Sequence, residues 1–116
     1  MQELLFLSRK KPQGDFMDVN YELGEYKFVW DSEKAAINLK KHKIAFEDAA
    51  RIFLDDYRFD DYDEFHSDEE DRIKTVGFVR NVLAVIYTER GDRNRIISAR
   101  RADREEEAQY FGQFEQ

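Results

Sequence analysis

From Tyr26 onward the spacing of apolar residues changes period several times, and each change marks a new element. Tyr26 to Trp30 alternates apolar and polar positions and runs into Asp31-Ser32, a good helix start, which predicts a short strand feeding a helix. Ala35, Ala36, Ile37 and Leu39 predict a helix of about eleven residues ending near His42. Phe46, Ala49, Ala50 and Phe53 recur at three- and four-residue spacing, so a second short helix runs from Phe46 to Phe53. The period then becomes two. Tyr57 to Tyr62 reads as an acidic edge strand, Ile73 to Val79 and Val82 to Thr88 as a hairpin turning at Arg80-Asn81, and Arg93 to Arg101 as a strand after the Gly91-Asp92 turn. Asp103 caps a last helix whose first turn holds Glu105, Glu106 and Glu107. The expected fold is α+β: an antiparallel sheet of about four to five strands, two N-terminal helices packed on one face, and a C-terminal helix. Residues 1–25 carry the only proline and no sustained period, and are read as an N-terminal extension to a single domain over 26–116, with Met17 as an alternative start. The cluster Leu4, Leu5, Phe6 and Leu7 is the one feature of that extension able to join a core.

Composition narrows the chemistry. A chain of 116 residues has room for one core. Without cysteine there are no disulfides, thiolate metal sites or cysteine nucleophiles, and the two histidines, His42 and His66, sit at no ligand spacing. No metal and no cofactor are expected. No apolar run approaches the roughly 18 residues of a membrane helix, and the first residues lack a basic start, so a cytoplasmic protein without membrane contact is the expectation.

Charge is polarised along the chain. The net charge is −7, yet Arg72 to Arg104 holds nine basic and three acidic residues, whereas Asp55 to Asp71 holds ten carboxylates and one arginine. Both could be solvated surfaces. Alternation of Arg93, Arg95 and Arg100 with Ile96, Ile97 and Ala99 instead suggests a basic face that holds an anion, with the acidic segment repelling that anion or meeting a basic partner.

An ordered series of landmarks resembles the BrnT toxins of bacterial type II toxin-antitoxin systems: Phe28-Val29-Trp30-Asp31, Lys34, Asn38, Lys41-His42, Phe46-Glu47-Asp48-Ala49, His66-Ser67, Arg72, Gly77, Tyr87-Thr88-Glu89 and Arg95 to Arg100. The resemblance spans about residues 26–111. It implies a RelE-like ribonuclease fold, metal-independent cleavage of RNA that inhibits translation, and neutralisation by a BrnA-like antitoxin whose ribbon-helix-helix domain contacts the operator DNA. Two positions depart from the family pattern: Lys43 stands where glycine is usual, and Ala45 where serine or threonine is usual. Both weaken helix caps, each by roughly 1 kcal/mol or less.

Cleavage by the RNA's own 2′-hydroxyl needs a proton acceptor, a proton donor and groups that stabilise charge on the phosphoryl oxygens. Arg95 and Arg100, then Arg72, are the candidates for charge stabilisation, since guanidinium meets phosphate in bidentate fashion. By strict strand parity Arg95 and Arg100 face opposite ways, so a twist or bulge is required if both are to act. For proton transfer the candidates are Lys41, His42, Glu47 and Glu89. Each has a structural alternative: His42 as a helix cap, Lys41 as a solvated charge, Glu47 as a first-turn carboxylate on the helix dipole. Tyr87 and Trp30 read as core, and His66 as structural or partner-facing. A non-catalytic binding module, or a degenerate toxin that binds antitoxin or nucleic acid without cleavage, is the alternative function.

Overall fold

The computed structural model describes residues 17–62 and 71–115; His66 and the Leu4–Leu7 cluster lie outside them. Strands β1 (Asp18–Leu23) and β2 (Tyr26–Asp31) lead into helix α1 (Ser32–His42), the short helix α2 (Phe46–Ala50) and a 3-10 turn, Arg51–Leu54. Strands β3 (Phe59–Tyr62), β4 (Ile73–Val79), β5 (Asn81–Arg90) and β6 (Arg93–Arg101) follow, and helix α3 (Arg104–Gly112) comes last. Among the described residues the strands form one six-stranded sheet in the order β1-β2-β6-β5-β4-β3.

This corrects the expected sheet in two respects. It has six strands, because Asp18–Leu23, left in the extension on sequence grounds, pairs along its whole length with β2. It is also mixed, because β2 and β6 run parallel through Phe28↔Asn94 and Val29↔Arg95, a pairing across the whole chain that no local pattern reveals. The helix arrangement differs as well. The second helix ends at Ala50 and tightens into the 3-10 turn, and α3 packs on the far side of the sheet, so both faces are covered.

The larger core lies under α1 and α2. Phe28, Trp30, Phe46, Phe53 and Tyr87 interlock there in tilted and edge-on pairs with centroids 4.9–5.7 Å apart for Phe53–Tyr87, Phe28–Phe53 and Trp30–Phe46. Each such side chain contributes about 1.5–3 kcal/mol by leaving water. Burial lifts the Tyr87 hydroxyl, with help from the Asp60 carboxylate, to a pKa of about 12, as suits a core residue. The smaller core, Val76, Val82, Ala84 and Tyr110, joins α3 to the other face. α1 buries Asn38, while Ile37 and Leu39 are exposed. Amphipathic spacing therefore placed this helix correctly but not its inward face.

A bulge in β6 settles the arginine parity. Ile86 pairs with Ser98 and Tyr87 with Ile96, leaving Ile97 as the extra residue. Ile96 and Ala99 consequently share the helix face with Tyr87 and Val85, and Arg95 and Arg100 share the opposite face, opposite Thr88 and Ala84.

Candidate functional site

The arginine strand is largely neutralised within the protein. Arg93 lies 3.5 Å from Glu22 and Arg95 3.3 Å from Asp18, both carboxylates supplied by β1. Arg100 grips Glu106 with two hydrogen bonds, 2.8 and 3.0 Å, and Lys74 reaches the same carboxylate at 2.7 Å. The capping box at the start of α3, in which Asp103 and Glu106 serve each other's backbone, fixes Glu106 in that position. Donation by Arg100 first, and then by Lys74, outweighs burial and holds the Glu106 carboxyl down to about 2. Arg100 is thus a fastener between α3 and the sheet in this conformation.

A different set of basic side chains has no carboxylate partner among the described residues. His42, Lys43, Arg80 and Arg101 line a cavity of about 250 Å³ between the end of α1 and the β4–β5 turn. His42 also borders an adjoining cleft of about 300 Å³, where Lys34 and Lys41 of α1 face the bulged Ile97-Ser98 segment. Local backbone builds this arrangement. Lys43 caps α1 in the left-handed region, φ 64°, and Arg80 makes the turn at φ 65°. Arg101 ends β6 opposite Leu83. Asn38 holds the walls together, its amide accepting from Ala99 N at 3.0 Å and donating to the Ile44 carbonyl at 3.1 Å. β2 pairs with β6 only at Asn94 and Arg95, so Asn38 supplies the partner that a strand would have given Ala99.

The residues singled out from sequence fall into separate places. Lys41 and His42 border the cleft. Glu47 is exposed on α2, and the carboxylate lining the cavity is its neighbour Asp48. Arg95 and Glu89 lie at the opposite end of the sheet, where Arg95 pairs with Thr88 and Glu89 with Asn94, and Arg72 immediately precedes Ile73, the partner of Tyr87. Glu89 lies six residue steps beyond Leu83 on β5, about 20 Å along an extended strand, too far for the two ends to serve one phosphate.

The family model described as the ribonuclease toxin BrnT of type II toxin-antitoxin systems matches residues 30–106 of the 116. The chain belongs to the BrnT family. Among solved structures it is similar to the Brucella abortus ribonuclease toxin BrnT, with 25% sequence identity over 65% of this chain and 94% of that one and a TM-score of 0.49. No curated protein matches it.

The BrnT match takes in α1, the β4–β5 turn and β6, and with them every residue lining the His42 cavity. Sequence reasoning assigned no site role to Arg80, Arg101, Asp48 or Asn38, although Asn38 and Asp48 stood among the landmarks. Two signals were present: Arg80-Asn81 as the hairpin turn, and Asn38 as a polar residue in the middle of α1. Arg101 carried none that distinguished it from its neighbours, because pairing to carboxylates depends on the fold.

Proposed function

We propose that this BrnT-family chain is a metal-independent endoribonuclease that cleaves RNA through the 2′-hydroxyl and inhibits translation, with its reaction centre at the His42 cleft. The observation that carries this reading is the gathering of cations without carboxylate partners around a single imidazole, in a chain of net charge −7. His42 takes the 2′-hydroxyl proton as the O2′–P bond forms. Lys41 protonates the departing 5′-oxygen as the P–O5′ bond breaks, yielding a 2′,3′-cyclic phosphate and a 5′-hydroxyl. Arg101 and Arg80 hold the phosphoryl oxygens and their developing charge. Arg95 and Arg100 hold β1 and α3 to the sheet instead, and Arg72 and Glu89 stand outside the step. Proton transfer between side chains supplies the chemistry.

The toxin is neutralised by a BrnA-like antitoxin whose ribbon-helix-helix domain carries the contact with operator DNA. The exposed acidic edge strand β3, with Asp60 and Asp61, is the surface suited to a basic partner.

Purified protein incubated with RNA in excess chelator tests the catalytic reading. Cleavage should persist, and His42→Ala and Arg101→Ala should each lower it by about a hundredfold with unchanged circular dichroism. Activity that vanishes in chelator and returns with magnesium, or is indifferent to both substitutions, rejects the mechanism.

A further inference from the structure

Beside the His42 cleft, around the end of β4, lies a larger cavity of about 560 Å³. β3 pairs with β4 only as far as Val76, so the edge of β4 beyond it is open. Asp55 fills the gap, accepting from Phe78 N at 2.8 Å and from the Tyr110 hydroxyl at 2.6 Å. Gly77 permits the close approach, since a Cβ there would meet Ile52 at 2.6 Å. The result is an aromatic ledge. Tyr110, 4% exposed, is fixed from behind, and Phe78, 44% exposed, lies against it with ring planes 24° apart. Leaving a phenyl ring in water costs burial energy that a packed position would recover. Arg51 and Arg80 stand at the rim, and neither has a carboxylate partner among the described residues. Arg80 and Asp48 belong to this cavity and to the His42 cavity alike, so one continuous surface joins the imidazole to the ledge.

We propose that Phe78, backed by Tyr110, is a stacking platform for an RNA base flanking the scissile phosphate, with Arg51 and Arg80 contacting the phosphates on either side. The proposal rests on the ribonuclease reading above. Cationic rim and aromatic floor together are the chemistry of a single-stranded nucleic acid track, because every base offers a π-face and every linkage a negative charge. Such a platform is tolerant of base identity and indifferent to the 2′-hydroxyl. Binding at the ledge is therefore separable from cleavage at His42.

That separability defines the experiment. Short 2′-O-methyl oligonucleotides, which bind but cannot be cleaved, are labelled with 2-aminopurine at successive positions and titrated with the purified protein. Wild type should quench the label at one position. Phe78→Ala should lose the quenching and bind about tenfold more weakly, whereas Phe78→Tyr should retain both. Arg51→Glu, away from the core, should weaken binding and flatten its salt dependence. On cleavable RNA, Phe78→Ala should raise KM with kcat little changed. Melting curves on each variant separate lost stacking from lost folding. If Phe78→Ala binds and quenches as wild type does while wild type cleaves, the platform is wrong and the ribonuclease reading stands. If wild type neither binds nor cleaves RNA, the reading beneath the proposal fails. Unchanged RNA handling combined with weakened neutralisation by the antitoxin would assign the ledge to a protein partner and overturn the proposal.

Discussion

Lys43 shows how much a single residue can trade between stability and function. It occupies the left-handed C-cap of α1 at φ 64°, where a side chain costs roughly 1 kcal/mol relative to glycine, and it is one of the residues lining the His42 cavity. Lys43→Gly should raise the melting temperature by about 4–8 °C and weaken RNA binding, measurable by calorimetry and by titration with an uncleavable oligonucleotide. A variant that is no more stable would mean that the lysine's bond to the Lys40 carbonyl, 3.0 Å, offsets the strain. Residue-level chemistry was partly legible: the arginines of β6 and the Lys41-His42 pair stand out in the sequence. Which arginines remain available was not legible, because Asp18 lies 77 positions from Arg95.

Among the elements, α3 is held to the sheet by the buried Glu106 carboxylate and by Tyr110, which packs with Val76, Val82 and Ala84 and donates to Asp55. The folded Glu106 carboxyl sits at about 2, below its ordinary 4.5, so its contribution is complete above about pH 4.5 and is lost as pH falls toward 2. Asp55 adds in the same direction: burial pushes its carboxyl up, but donation by Tyr110 and by the Tyr57 and Phe78 backbones, with the nearby Arg58 charge, carries it below its usual value. Melting temperature should therefore drop steeply between pH 5 and pH 2. Glu106→Gln should melt lower at pH 7 and respond less to acid across that interval; an unchanged acid limb would mean that other carboxylates govern it. The capping box behind this contact was readable locally, whereas the grip of Arg100 and Lys74 required the fold.

At the scale of the whole molecule, β1 closes one edge of the sheet and neutralises half the arginine strand. Its Val19, Tyr21 and Leu23 pack against the larger core, and its Asp18 and Glu22 pair with Arg95 and Arg93. Deleting residues 1–16 should leave melting and cleavage unchanged. Deleting residues 1–25 should lower the melting temperature by more than about 10 °C or make the protein insoluble, through lost burial and an exposed β2 edge. Equal stability of the two truncations would show that β1 contributes nothing to the sheet.

What the sequence determined by itself is local. The α1 start at Asp31, the β4–β5 hairpin, β6 and the cap at Asp103 were all readable, because propensity, period and capping act within a few residues. The landmarks from Phe28 to Arg100 likewise pointed to the family, since their order and spacing survive in the bare chain. Only the tertiary structure decided the parallel β2–β6 pairing, the bulge at Ile97 and the covering of both faces. It also decided that Arg93, Arg95 and Arg100 meet carboxylates while Arg80 and Arg101 gather at His42. These depend on which distant segments become neighbours, and a charge has no chemistry of its own until the fold gives it a partner or leaves it without one.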